Sequence, residues 1–267
     1  MLLGGVLLFK NRVMQKIIIT TSWDDGHKMD LKLLSLLNKY NLKGTFYIPK
    51  NCEFKSLTND EIKEINKSQE IGAHSLSHLD LTKLSLSQAK KEIGGSKNYL
   101  ENLLNKQVKM FCYPKGKFNS QVKDLVKNAG FLGARTTQEF HFNRSSDFFE
   151  LGTTIHIYPF PLRKRGKNHY HISRVLFQPL QQKFSKILKL GLPIVSFFSW
   201  QNLAKCLFDY ALRKGDIYHL WGHSWEIEKY NMWNDLEKIF KYISNRKNCV
   251  YLTNREVLQY ENFNFIR

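Results

Sequence analysis

Lys16-Ile17-Ile18-Ile19-Thr20-Thr21 is a β-branched run that leads directly into Ser22-Trp23-Asp24-Asp25-Gly26-His27. A short apolar run of branched residues ending in Asp and Gly predicts a strand followed by a turn. Over Met29 to Tyr40, Leu31, Leu34 and Leu37 recur at helical spacing before Asn41 ends the pattern, and Gly44 to Ile48 reads as the next strand. Strand, helix, strand in close succession is the unit from which parallel sheets are built.

The alternation continues outward from this unit. Thr58 with Glu61 three residues on is a capping box opening a helix through Lys67, and Ile71 to Ala73 is short and apolar. Ser85 and Gln88 cap a helix running toward Leu104, and Met110 to Tyr113 predicts a strand. A helix over Gln121 to Asn128 stops at Ala129-Gly130, after which Phe131 to Arg135 and Thr153 to Tyr158 read as strands. Phe160 to His171 is rich in Pro, Arg and Lys without periodicity and predicts a long loop. Helices at Pro179 to Leu190, Trp200 to Arg213 and Met232 to Asn245 then alternate with apolar segments at Ile194 to Phe198, Ile217 to Trp221 and Val250 to Leu252. Such a chain folds as parallel strands with helical crossovers, either an open sheet or a closed barrel. In both, chemistry gathers at the carboxyl ends of the strands.

Composition sets the outer limits. With 267 residues, 42% of them hydrophobic and 24% charged, the chain can bury a substantial core, which excludes disordered and fibrous classes. Its 41 Lys and Arg against 23 Asp and Glu give a net charge of +18, which favours an anionic partner, although lysines are spread over nearly every helix as on an ordinary solvated surface. Cys52, Cys112, Cys206 and Cys249 lie far apart, as in a protein of a reducing compartment. Met1 to Phe9 is apolar but has no basic start and is too short to span a bilayer, and Met14 is an alternative start. The expectation is a cytoplasmic protein, peripheral at most to the inner membrane face. Residues 1–15 would form an extension and residues 16–267 a single domain.

Two clusters carry the chemistry. Trp23-Asp24-Asp25-Gly26-His27 sits at the end of the first strand, where one carboxylate can bind a cation and its neighbour act as a base. Taken alone, an Asp-Asp-Gly turn explains it equally well. His74-Ser75-Leu76-Ser77-His78 follows the third strand, and its spacing lets both imidazoles share one metal from one side of a helical turn. Two histidines and one carboxylate leave coordination positions open, as a catalytic site requires. The donor set suits zinc, with cobalt, nickel or iron as alternatives.

At these residues the sequence resembles the polysaccharide deacetylase family, which shares the homology domain of the chitooligosaccharide deacetylases. Thr21-Ser22-Trp23-Asp24-Asp25-Gly26 is similar to the first family motif, His74 to His78 to the second, and Phe111-Cys112-Tyr113-Pro114-Lys115-Gly116 to the third. The resemblance implies a distorted α/β barrel of about seven parallel strands. It implies Asp24 as the base, Asp25, His74 and His78 as ligands of one divalent metal, and an N-acetylated carbohydrate as substrate. It also implies a backbone N–H of Tyr113 as a second donor to the oxyanion. Cys112 stands where many relatives carry an Arg that tethers the base, and Lys115 where they carry an aromatic. Arg135, at the end of the following strand, is the candidate replacement, with a surface role as the alternative.

Gly215 to Glu226 is similar to the last family motif, in which a strand ends at the histidine that acts as general acid. Two histidines compete. His219 falls within the strand and His223 just beyond it, which favours His223. Trp225 is a candidate to stack on a sugar, or a core residue. Arg163, Lys164, Arg165 and Lys167 form a basic cluster suited to an anionic membrane surface or a lipid-linked sugar. Two rivals carry other signals: a 2-His-1-carboxylate iron oxygenase, from His78-Leu79-Asp80, and a basic nucleic-acid-binding module, which lacks a recognition motif, so no nucleic acid is expected.

Overall fold

The computed structural model describes residues 16–51, 56–162 and 172–264. The expected extension over residues 1–15, Cys52 and the basic cluster Arg163 to Lys167 lie outside the described residues. Along the chain run β1 (Ile17–Asp24), α1 (Asp30–Lys39), β2 (Gly44–Ile48), α2 (Asn59–Asn66), β3 (Glu70–Ala73), α3 (Leu86–Leu104) and β4 (Met110–Cys112). There follow α4 (Ser120–Asn128), β5 (Gly133–Arg135), β6 (Ile155–His156), α5 (Ile172–Lys189), α6 (Trp200–Lys214) and β7 (Ile217–Gly222). The chain continues through α7 (Ser224–Lys229), α8 (Trp233–Ile243), β8 (Cys249–Tyr251) and α9 (Asn254–Asn264).

The named strands pair in parallel in the order β5-β4-β3-β2-β1-β7-β6. β8 pairs with Ile17 to Ile19, below the register that β2 takes on β1. The two ends of this order approach each other through the segment before β6. Leu151 bridges Arg135 of β5, and Thr154 donates its N–H to His219 O of β7. The sheet therefore curls into the distorted barrel expected from the sequence.

Alternation along β1 sorts its side chains between two environments. Ile17, Ile19 and Trp23 face the helical layer, where Trp23 meets Phe240 of α8 edge-on at 6.1 Å. Thr20, Ser22 and Asp24 face the interior and are paired there: Thr20 with Asn254, Ser22 with His219, Asp24 with Arg135. Burying these polar groups is tolerated because each has a partner. α9 plugs the amino-terminal end of the barrel, with Val257 against Ile18 and Ile217, and Leu258 against Tyr47 and Met110. Substrate access is thereby left to the opposite, carboxyl end.

Both predicted capping boxes are present, Thr58 with Glu61 and Ser85 with Gln88. The apolar segment Ile194 to Phe198 departs from the strands at Ile217 and Val250. It forms a single 3-10 turn whose side chains are largely exposed. No helix among the described residues is long and apolar enough to cross a membrane.

Candidate active site

A cleft of about 690 Å³ opens at the carboxyl end of the barrel, lined among others by Asp24, Asp25, His74, His78, Lys115, His156, Trp221, His223 and Trp225. This is the size of a small-ligand site. Asp25 leaves β1 with a left-handed backbone (φ 79°) while its N–H still donates to Tyr47 O of β2 at 3.1 Å. A non-glycine residue in this region is strained, and strain of this kind gathers at functional sites. Its carboxylate is thereby turned across the strand end toward His74 and His78.

The two histidines converge by a different route from the predicted helical turn. Residues 74–78 form a bend in which Ser75 and His78 are left-handed (φ 63° and 51°), and Ser75 Oγ accepts the His78 N–H at 3.0 Å. Ser77 N–H on Glu92 of α3 and Leu76 O on Asn51 N–H pin the bend from both sides. His74 Nδ1 lies 2.8 Å from Cys112 O, so it carries the proton and Nε2 offers its lone pair. Burial pushes His74 down to about 4, which makes it neutral at physiological pH.

Asp25 Oδ1 is buried with no hydrogen-bond partner. It faces His74 Nε2 at 3.8 Å and His78 Nε2 at 3.5 Å, and the three atoms all lie within 4.8 Å of one another. Tetrahedral coordination at 2.0–2.1 Å sets neighbouring ligand atoms about 3.3 Å apart, close to these separations. A buried oxygen with no donor, faced by a neutral imidazole's lone pair, fits a divalent cation. The other Asp25 oxygen accepts Trp225 Nε1–H at 2.9 Å, which fixes the carboxylate's rotation.

Asp24 points into the barrel onto Arg135, which is fully buried. Cys112 and Arg135 are register partners on β4 and β5, so the guanidinium reaches the carboxylate from the strand beside Cys112. Burial alone would raise the Asp24 carboxyl, but the charge of Arg135, then those of His74 and His223, outweigh it and hold it at about 2. Arg135 is itself sandwiched, its Cζ 4.6 Å from the Trp221 ring and 5.3 Å from that of Tyr47.

The structure also separates the competing histidines. His219 is buried inside the barrel, bonded to Ser22 and to Gly152 O, and burial followed by the Arg135 charge pushes it down to about 3. His223 lines the cleft, its Nε2 3.8 Å from Asp25 Oδ2 and its Nδ1 2.6 Å from Glu226 Oε2. Burial would lower His223, but the Glu226 hydrogen bond and the nearby Asp25 and Asp24 charges lift it to about 9. His156 holds the same Glu226 oxygen at 3.2 Å and stacks on Trp221 at 4.0 Å. Glu226, His156 and Trp221 were not singled out from sequence, although His156 ends a strand and Glu226 stands one helical turn from His223.

Two predicted residues are placed differently from their assigned roles. Tyr113 lies off the cleft: its ring stacks on Phe118 at 4.5 Å, its hydroxyl donates to Phe149 O, and its N–H donates to Arg135 O at 3.3 Å. Asp80, of the His78-Leu79-Asp80 run, accepts from Thr82 N–H and Lys117 instead of joining the histidines. Trp225 does line the cleft, with its indole N–H committed to Asp25.

A family profile described as polysaccharide deacetylase matches residues 11–134. The chain is 25% identical over 152 residues to YxkH of Bacillus subtilis (strain 168), named by inference as a polysaccharide deacetylase, with 55% of this chain and 54% of that protein covered. It thus spans about half the length of that relative. Among solved structures, a protein from Mycobacterium smegmatis assigned as a polysaccharide deacetylase has the same fold, with a TM-score of 0.67 at 12% identity over 94% of this chain and 92% of that one. Residues 11–134 are thus similar to the polysaccharide deacetylase family, and the relative and the shared fold support that family for the chain. Another fold neighbour, with a TM-score of 0.53 at 14% identity over 92% of this chain and 68% of that one, is a mutant of a family pseudoenzyme with restored enzymatic activity. A shared fold therefore does not by itself establish activity.

Proposed function

We propose that the chain is a divalent-metal-dependent hydrolase that removes N-acetyl groups from amino sugars of a polysaccharide, an oligosaccharide or a lipid-linked glycan. The observation that carries this reading is the unpartnered, buried Asp25 Oδ1 facing His74 and His78, with one carboxylate and one imidazole flanking it. Asp25, His74 and His78 would hold the ion, zinc being the best match to the donors.

When bound, the cation would supply Lewis-acid polarisation and lower the pKa of a nearby water to about 7. Asp24, kept ionised by Arg135, accepts a proton from that water. A carboxylate held so low is a weak base, adequate only for a water made acidic in this way. His223 enters protonated, as the Glu226 contact ensures, and gives its Nε2 proton to the departing nitrogen. Without that proton the amine would be too poor a leaving group for the C–N bond to break. Tyr113 N–H, already donated to Arg135 O, is not assigned an oxyanion role.

Chelation is expected to abolish acetate release from N-acetylated oligosaccharides and to lower the melting temperature, because an ion bound only by the folded state stabilises it. Zinc or cobalt added back should restore both. Asp25→Ala should prevent the recovery, with metal content falling below one ion per chain by elemental analysis. Full activity in chelator would overturn the metal reading.

A further inference from the structure

The excess of positive charge is not spread evenly. Lysines occur on most helices, but between Glu150 and Asp209 no acidic residue occurs at all, against nine Lys and Arg. That stretch contains α5 and the 3-10 turn Ile194–Phe197, and it carries the largest group of exposed apolar side chains among the described residues. Phe177, Phe184 and Leu188 follow one another at helical spacing along the outer face of α5. Ile194 and Phe198 stand out from the turn at 76% and 65% exposure. Phe184 and Phe197, with ring centroids 5.5 Å apart, join the two parts into one surface. Lys186 and Lys189 lie on the same helix and are exposed.

The opposite face of α5 turns toward the active-site cleft. Gln178, Pro179, Gln182 and Lys183 line a smaller cavity of about 210 Å³ together with Glu139 and His156. Both of those residues also line the main cleft. Lys183 pairs with Glu139, fixing the helix at this rim. The helix that carries the apolar surface thus also forms part of the rim of the site.

We infer that α5 and the turn after it form a docking surface for an anionic lipid bilayer. An apolar face on a helix whose exposed charges among the described residues are the lysines Lys186 and Lys189, in a stretch without a single carboxylate, is complementary to acyl chains beneath acidic headgroups. A protein partner would need acidic residues arranged against these lysines, whereas a bilayer satisfies both the apolar side chains and the charge without a specific shape. The inference does not depend on the hydrolase reading, since docking requires no turnover.

The test is co-sedimentation of the full chain with vesicles of phosphatidylcholine alone or mixed with phosphatidylglycerol. Binding is expected to the mixed vesicles and to weaken with salt. Lys186→Glu with Lys189→Glu should lose about fivefold in partition for each lysine removed. Ile194→Ser with Phe198→Ser should lose about tenfold or more through the lost apolar contact. Both variants should keep the wild-type melting temperature because the altered side chains are exposed. Absence of binding to the mixed vesicles would overturn the inference, as would equal binding by the serine variant. A wild-type dimer that the serine substitutions convert to monomer, with no vesicle binding, would reassign the surface to contact between two copies.

Discussion

Asp24→Asn is expected to lower kcat for acetate release by about 10²–10⁴, the contribution of a positioned general base. The substitution keeps the size and shape of the side chain while removing its capacity to take a proton. Asp25, His74 and His78 are untouched, so metal content should stay near that of the wild type. The same change leaves Arg135, fully buried, without its counter-charge. Breaking a buried ion pair from one side costs about 3–5 kcal/mol. The variant should therefore also melt earlier, and its turnover must be measured well below its own midpoint. A metal-loaded, folded Asp24→Asn protein retaining more than about a tenth of wild-type kcat would remove Asp24 from the role of base.

The barrel and the gathering of Asp25, His74 and His78 were legible in the sequence because both rest on local signals. β1 to β4 announce themselves as apolar runs, and Asp25, His74 and His78 follow directly on two of them. What was not legible depends on contacts between strands. β1 extends past Thr21 to Asp24 because its polar residues face a barrel interior that supplies partners, a property invisible in a run of Thr, Thr and Ser. The convergence of His74 and His78 was foreseen, but not that two left-handed residues produce it in place of a helical turn. Tyr113 looked available from its motif position, yet β4 and β5 pairing commits its N–H to Arg135 O. Glu226 and His156 act on His223 from two elements, and only their shared contact at the barrel mouth relates them.

Arg135 carries the second large effect. Arg135→Met should destabilise the metal-free protein by about 3–5 kcal/mol at neutral pH, since it strands the Asp24 carboxylate inside the barrel. If the guanidinium acts through Asp24, the double variant Asp24→Asn/Arg135→Met will cost less than the sum of the two single changes. The pH dependence has a definite sign. In the wild type Asp24 is held at about 2, below its ordinary 3.8, so the ion pair's stabilisation is complete above about pH 4 and is lost as the pH falls toward 2. In Arg135→Met the burial that raises this carboxyl is opposed only by the weaker influence of His74 and His223, which shifts the balance toward the protonated form. The stability gap between the two proteins should therefore narrow on acidification from pH 7 toward pH 4 and below. Chemical denaturation of the chelated proteins across that range measures it directly. A gap that stays constant with pH, together with additive single changes, would mean that Arg135 supports the barrel by packing between Trp221 and Tyr47 and not by holding the base.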